Sequence, residues 1–179
     1  DAGLAITTFP SGGMVLVGHI QSPVDFGQGP VGGAGVGEGV ILRMRADGRV
    51  RWAKAVSRGA GDDSLQAVAC HPSGLIGVGG HVSPGGGVGW DGYVGLYYAD
   101  GRPMWERTVG GQGTDEVRAL AWDGDILVAG GGFQQTVNLG PATVSSRGQW
   151  DAFAAGYGDD GCVWVESYGG TQVDIVTAA

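Results

Sequence analysis

Two Trp-Asp pairs, Trp90-Asp91 and Trp150-Asp151, are the residues of this chain best suited to holding a ligand. An indole offers an apolar plate to the C–H face of a sugar ring, and the adjacent carboxylate can take its hydroxyls. The competing use is packing, with an indole at the start of a strand lying on its neighbour. The stretch Gly110-Gly111-Gln112-Gly113-Thr114-Asp115-Glu116-Val117-Arg118 matches the calcium nonapeptide GGxGxDxUx. That motif works as tandem turns sharing ions. Related stretches, Gly59 to Gln66 and Gly169 to Thr177, recur here only at a much longer spacing. The expectation is therefore a set of glycine-rich connectors and no cofactor, with calcium as the alternative.

Other chemistry is thinner. A zinc site needs three or four ligands around one ion. His19 and His81 stand one repeat apart and His71 lies at a turn, so all three are expected to be structural and no metal site is assigned. Cys70 and His71 are adjacent, and neighbours along a strand or turn point apart. No Ser–His–Asp or Cys–His arrangement stands out, so no catalytic residue is assigned. The many GxG runs have no strand-to-helix context and do not indicate a nucleotide site.

The elements that must position these residues come from internal repetition. An Asp followed four residues later by Ala recurs as Asp1 and Ala5, Asp63 and Ala67, Asp115 and Ala119, Asp174 and Ala178. A ten-residue block opening on an acid and closing on Asp runs Glu38 to Asp47, Asp91 to Asp100 and Asp151 to Asp160. A Trp follows each block, at Trp52, Trp105 and Trp164. Repeats one and two also match at an offset of 62, with Pro10-Ser11-Gly12 over Pro72-Ser73-Gly74 and Gly18-His19 over Gly80-His81. The period is 52 to 62 residues, and the variation is concentrated in one loop.

Each repeat divides into four short apolar runs, as in Val117 to Trp122, Ile126 to Ala129, Ala152 to Tyr157 and Cys162 to Ser167. Asp-Gly or Pro-Ser-Gly turns separate them, because Gly reaches positive φ at no steric cost. Helical periodicity is absent. Four antiparallel strands repeating at this length describe a blade of a β-propeller. Alanine at one place in every first strand suits an inner strand where blades converge, and second strands apolar on both faces suit burial between neighbours. Trp52, Trp105 and Trp164, within the last strands, are expected in the core.

The expected fold is thus all-β, three four-stranded blades at 1–62, 63–114 and 115–173, with 174–179 opening a further blade. Three blades do not close a ring, so further blades of a longer chain or partner chains are expected to complete it. In that arrangement Asp63, Asp115 and Asp174 share a face with Glu38, Asp91 and Asp151. Such a ring of carboxylates could bind cations or basic partners, unless each Asp accepts hydrogen bonds from turn amides.

Composition excludes some functions. Glycine, at 39 of 179 residues, is the outlier, while 42% hydrophobic content is enough to build a core. The net charge of −8 and the single lysine, Lys54, argue against nucleic acid or an anionic membrane as partner. No apolar run approaches a membrane span. The two cysteines, Cys70 and Cys162, are too few for a disulfide framework. The chain opens on Asp1 without a signal peptide, as expected of a processed or excised piece.

Segments such as WERTVGGQGTDEVRALAWDGDILVAGGGFQQTVNLG and GQWDAFAAGYGDDGCVWVESYGG resemble the bacterial β-propeller repeats of the SBBP type. The resemblance spans nearly the whole chain. It is weaker in repeat two, whose middle loop shrinks to Ser83-Pro84-Gly85-Gly86-Gly87, and repeat one has Gly37-Glu38 in place of Trp-Asp. It implies a secreted or cell-surface location, including lipoproteins, and no particular reaction. The leading expectation is a non-enzymatic scaffold contacting protein or glycan through the loops Gln21 to Gly37 and Gln134 to Gly148. The alternatives are lectin-like sugar binding at the Trp-Asp pairs and an enzyme or assembly whose functional groups lie elsewhere.

Overall fold

The computed structural model describes residues 1–33, 36–59, 61–83 and 89–178, and every regular element in it is a strand. Repeat one contains β1 (Ala2–Thr8), β2 (Met14–Ile20), the short β3 (Val24–Asp25) and β4 (Pro30–Val31), then β5 (Glu38–Met44) and β6 (Val50–Val56). Repeat two contains β7 (Ser64–Cys70), β8 (Ile76–Val82), β9 (Asp91–Tyr97) and β10 (Pro103–Gly111). Repeat three contains β11 (Glu116–Asp123), β12 (Ile126–Phe133), β13 (Thr136–Asn138), β14 (Thr143–Ser145), β15 (Asp151–Gly158) and β16 (Gly161–Tyr168).

The long strands form three antiparallel meanders, β1-β2-β5-β6, β7-β8-β9-β10 and β11-β12-β15-β16. Four of the turns are built alike. The amide of Arg45 donates to the Arg49 carbonyl while Gly48 donates back to Arg45, and Tyr98 to Arg102, Phe9 to Gly13 and His71 to Leu75 repeat the pattern. The glycine in each has positive φ, as at Gly48 (81°) and Gly101 (86°), which explains why glycine recurs there.

Each first strand carries a bulge at the same place, between Gly3 and Ala5, Leu65 and Ala67, and Val117 and Ala119. The bulge drives a carbonyl toward the second strand. A Cβ at Gly80 would fall 2.0 Å from the Ser64 oxygen, and at Gly131 1.9 Å from that of Glu116. Only glycine fits there, and Gly18 repeats it against Ala2.

The sheets pack face to face, with neighbouring first strands adjacent: β7 lies against β1 and β2, and β11 against β7 and β8. One core joins Val15, Val17 and Ile41 of repeat one to Leu65, Ile76 and Val78 of repeat two. A second joins repeats two and three around Val117, Leu127, Phe133 and Phe153. Ala67 and Ala119 are buried at the bulges, and Ala5 is half-buried. The three sheets do not close into a barrel or ring.

Three expectations change. Residues 174–178 form no strand: Val173 makes a single bridge to Trp150, and the Val176 amide donates to the Gly131 carbonyl. Ala179 is outside the described residues. Trp164 is 39% exposed rather than core, with no sheet of the described residues laid against β16. The variable loop of repeat three is a hairpin, β13–β14, that pairs with β10 of repeat two through Gly110↔Asn138 and Gly111↔Val137. Most of the corresponding loop of repeat two, residues 84–88, lies outside the described residues.

Candidate functional site

The repeated Asp is a backbone clamp. Asp63 is fully buried, and its carboxylate accepts the Arg58 amide at 2.8 Å and the Ser83 amide at 2.7 Å. Asp115 accepts Gly111 at 3.0 Å and Gln134 at 3.1 Å. Asp1 accepts Gln21, and Asp174 accepts Gly170. One carboxylate thus ties the connector between repeats to the end of the second strand. The Asp main chain completes the junction: the amides of Asp63, Asp115 and Asp174 donate to the carbonyls of Gly37, Trp90 and Trp150. The expected face of carboxylates is largely consumed by amides, as the turn reading anticipates. Burial pushes the Asp115 carboxyl up to about 6 against the opposing pull of its two amide donors.

The same observations bear on the calcium-like stretch. Asp115 has both oxygens engaged, and buried Glu116 pairs with Arg118 at 2.5 Å. Among the described residues no three His, Cys, Asp or Glu side chains converge as a metal would need.

The Trp-Asp pairs divide between two environments. Trp90, 39% exposed, stacks on His81 with ring centroids 4.3 Å apart, and buried His81 also accepts Gln66 Nε2 at Nδ1. Burial holds the His81 imidazole below its ordinary pKa, so it is neutral at pH 7. In repeat three Gly132 takes the place of His81, and the Trp150 ring lies against it. Asp151 is 2% exposed, accepts the Arg147 amide at 3.1 Å and sits over Gly169. Asp91 is different. It sits over Gly110, receives no hydrogen bond among the described residues, and is raised in pKa by burial. It lines a cleft of about 410 Å³ between β10 and the β13–β14 hairpin, together with Arg107, Asn138 and Tyr157.

Two clusters have no counterpart in the motif reading. Glu106 on β10 accepts the hydroxyls of Tyr93 and Tyr97, at 2.7 and 2.5 Å, and pairs with Arg58 of repeat one at 2.6 Å. Both tyrosines are fully buried, and the pairing of Glu106 with Arg58 ties repeat two to repeat one. The second is Ser73–His71–Asp125. Ser73 Oγ lies 2.7 Å from His71 Nδ1, while His71 Nε2 donates to the Gly124 carbonyl at 3.1 Å and lies 3.6 Å from Asp125. The order of nucleophile, base and acid is right, but the two amides nearest the hydroxyl are already engaged. The Gly74 amide is used by the His71 carbonyl, the Ser73 amide by His71 Nδ1, and Asp125 is fully exposed. His71 is best described as a pin between two turns.

Cys70 and Cys162 are unbridged thiols. Burial pushes Cys70 up to about 12 and raises Cys162, so neither is a thiolate at neutral pH. Comparison with known proteins returned neither a matching family model nor a matching curated relative.

Proposed function

We propose that this chain is a three-blade segment of a β-propeller of the SBBP type, acting as a non-catalytic scaffold of a secreted or cell-surface protein. Its contacts to protein or glycan partners run through the connections between second and third strands. The observation that carries this reading is the invariant clamp beneath a variable connection. Asp1, Asp63 and Asp115 each hold the residue after the second strand, whereas the connection leading on to the third strand differs in length and sequence among 21–37, 83–90 and 134–150. A rigid base carrying changeable loops is the usual design of a binding surface. Side-by-side packing of the first strands and the exposed outer faces of repeats one and three agree with a segment that further blades or partner chains complete.

Two measurements test this. Replacing the exposed hairpin side chains Thr136, Thr143 and Ser145 together by alanine, with the buried Val137 and Leu139 kept, leaves cooperative unfolding intact if the loop surface is free to vary on the clamped strands. Loss of folding would overturn the scaffold reading. Chromogenic esters, glycosides and phosphates are turned over no faster by the wild type than by His71→Ala. Hydrolysis lost in that variant would make the Ser73–His71 pair an active site and the protein an enzyme.

A further inference from the structure

We infer that the cleft between β10 and the β13–β14 hairpin binds a saccharide carrying a carboxylate. This rests on reading 134–150 as a binding loop. The cavity, about 410 Å³, is of the size that accommodates small ligands and holds a single sugar ring. One of its polar groups has lost water without gaining a partner. The Tyr157 side chain is 2% exposed, and its hydroxyl is buried with no hydrogen bond among the described residues. Buried hydroxyls in that condition are rare and call for an occupant. Asp91 offers an acceptor with no donor from the described residues. Asn138 accepts the Gly140 amide at Oδ1, 2.9 Å away, and its N–H groups have no acceptor among the described residues.

Arg107 sets the ligand's charge. It has no carboxylate within ion-pair distance among the described residues. Its guanidinium lies 5.3 Å above the Trp105 ring and beside Gly161, where an added Cβ would come within 3.1 Å of it. A planar guanidinium is suited to bidentate binding of a carboxylate. Val109 and Leu139 supply apolar wall for the C–H face of a ring. Acceptor, amide donor, hydroxyl and cation around one small cleft match a hydroxylated acid better than a neutral sugar or a hydrocarbon.

The test is titration of the full chain with D-glucuronate and, separately, D-glucose, followed by amide chemical shifts at Gly110, Leu139 and Gly140. Saturable glucuronate binding, weakened about tenfold or more by Arg107→Gln and absent for glucose, supports the site. Equal binding of both sugars, no saturable shift, or unchanged binding in Arg107→Gln overturns it. Tyr157→Phe gives an independent reading. It raises the melting temperature by removing an orphaned hydroxyl while weakening glucuronate binding, and unchanged binding would also count against the site. Failure here leaves the unfolding behaviour of the hairpin alanine variant untouched, so the ligand and the scaffold reading fail separately.

Discussion

The two interfaces between repeats are built from different materials. Between repeats one and two, β2 presents Val15 and Val17, both fully buried, to the next sheet. At the corresponding positions of β8, facing repeat three, stand Gly77 and Gly79. A Cβ at Gly77 would come 2.7 Å from Leu127 and one at Gly79 2.6 Å from Val117, so the glycines admit the larger side chains of the following repeat. The first interface adds a polar lock, Glu106 with Tyr93, Tyr97 and Arg58. The second adds the β13–β14 hairpin laid along β10. The same fold positions therefore tolerate an exchange of volume across the seam, provided the neighbour compensates.

The largest effect should come from the seam that relies on close packing. Leu127→Ala empties a fully buried site opposite glycine, where nothing can move in to fill it. A loss of about 4 kcal/mol is expected in chemical denaturation. A loss below about 1 kcal/mol would mean that repeats two and three do not share this core. At the other seam, Glu106→Gln keeps the shape and removes the charge. It should cost about 2 kcal/mol, since the acceptor of two buried phenols and of Arg58 is weakened. If the lock is dispensable, the variant will melt with the wild type.

Acid should separate the seams by sign. The hydrogen bonds from Tyr93 and Tyr97, with Arg58 nearby, outweigh burial and hold Glu106 below its ordinary 4.5. Its contribution is complete above that value and is lost as pH falls through the lower folded pKa. Asp115, raised from 3.8 to about 6, works the other way. The folded chain binds its proton more tightly, so the junction of repeats two and three gains stability as pH falls from about 6 toward 4 and loses it as pH rises. Protection factors at Gly111 and Gln134, corrected for the intrinsic slowing of amide exchange in acid, should rise over that window in the wild type, and Asp115→Asn should abolish the rise. Protection that falls on mild acidification would show that the carboxylate form is the stabilising one.

The strands and turns were legible because their signals are local. Asp47-Gly48 and Asp100-Gly101 specify their turns from four residues, and alternating apolar runs specify strands whatever lies beside them. The clamp was partly legible: Asp before each first strand pointed to turn amides, but the partner some twenty residues on, Ser83 or Gln134, depends on the completed hairpin. Gly18, Gly80 and Gly131 recur in the sequence, yet their reason, a bulged carbonyl, exists only in the sheet. Glu106 was invisible. Ala53 and Val165 occupy its place in the other repeats, so no repeat signal marks it, and its meaning comes from Tyr93, Tyr97 and Arg58 gathering in space. The cleft beside Asp91 was equally hidden, since the hairpin that walls it crosses to another repeat.

The smallest effect belongs to the outer face of repeat one, which none of the described residues covers in the isolated 179-residue chain. Leu4 and Ile6 of β1 are 48% and 59% exposed, whereas on β7 Leu65 is buried against repeat one and Val68, the counterpart of Ile6, packs on the same core. Gln66 already stands where β1 has Leu4, so Leu4→Gln copies a side chain the fold accepts at this bulge. With β1 open to water, the substitution should change stability by less than about 0.5 kcal/mol at low protein concentration. If Leu4 and Ile6 instead meet a blade or a second copy, the cost will exceed about 1 kcal/mol and grow with concentration, because the mutation then acts on association as well as folding. Unfolding midpoints of wild type and Leu4→Gln across a hundredfold range of concentration decide between a bare face and an occupied one.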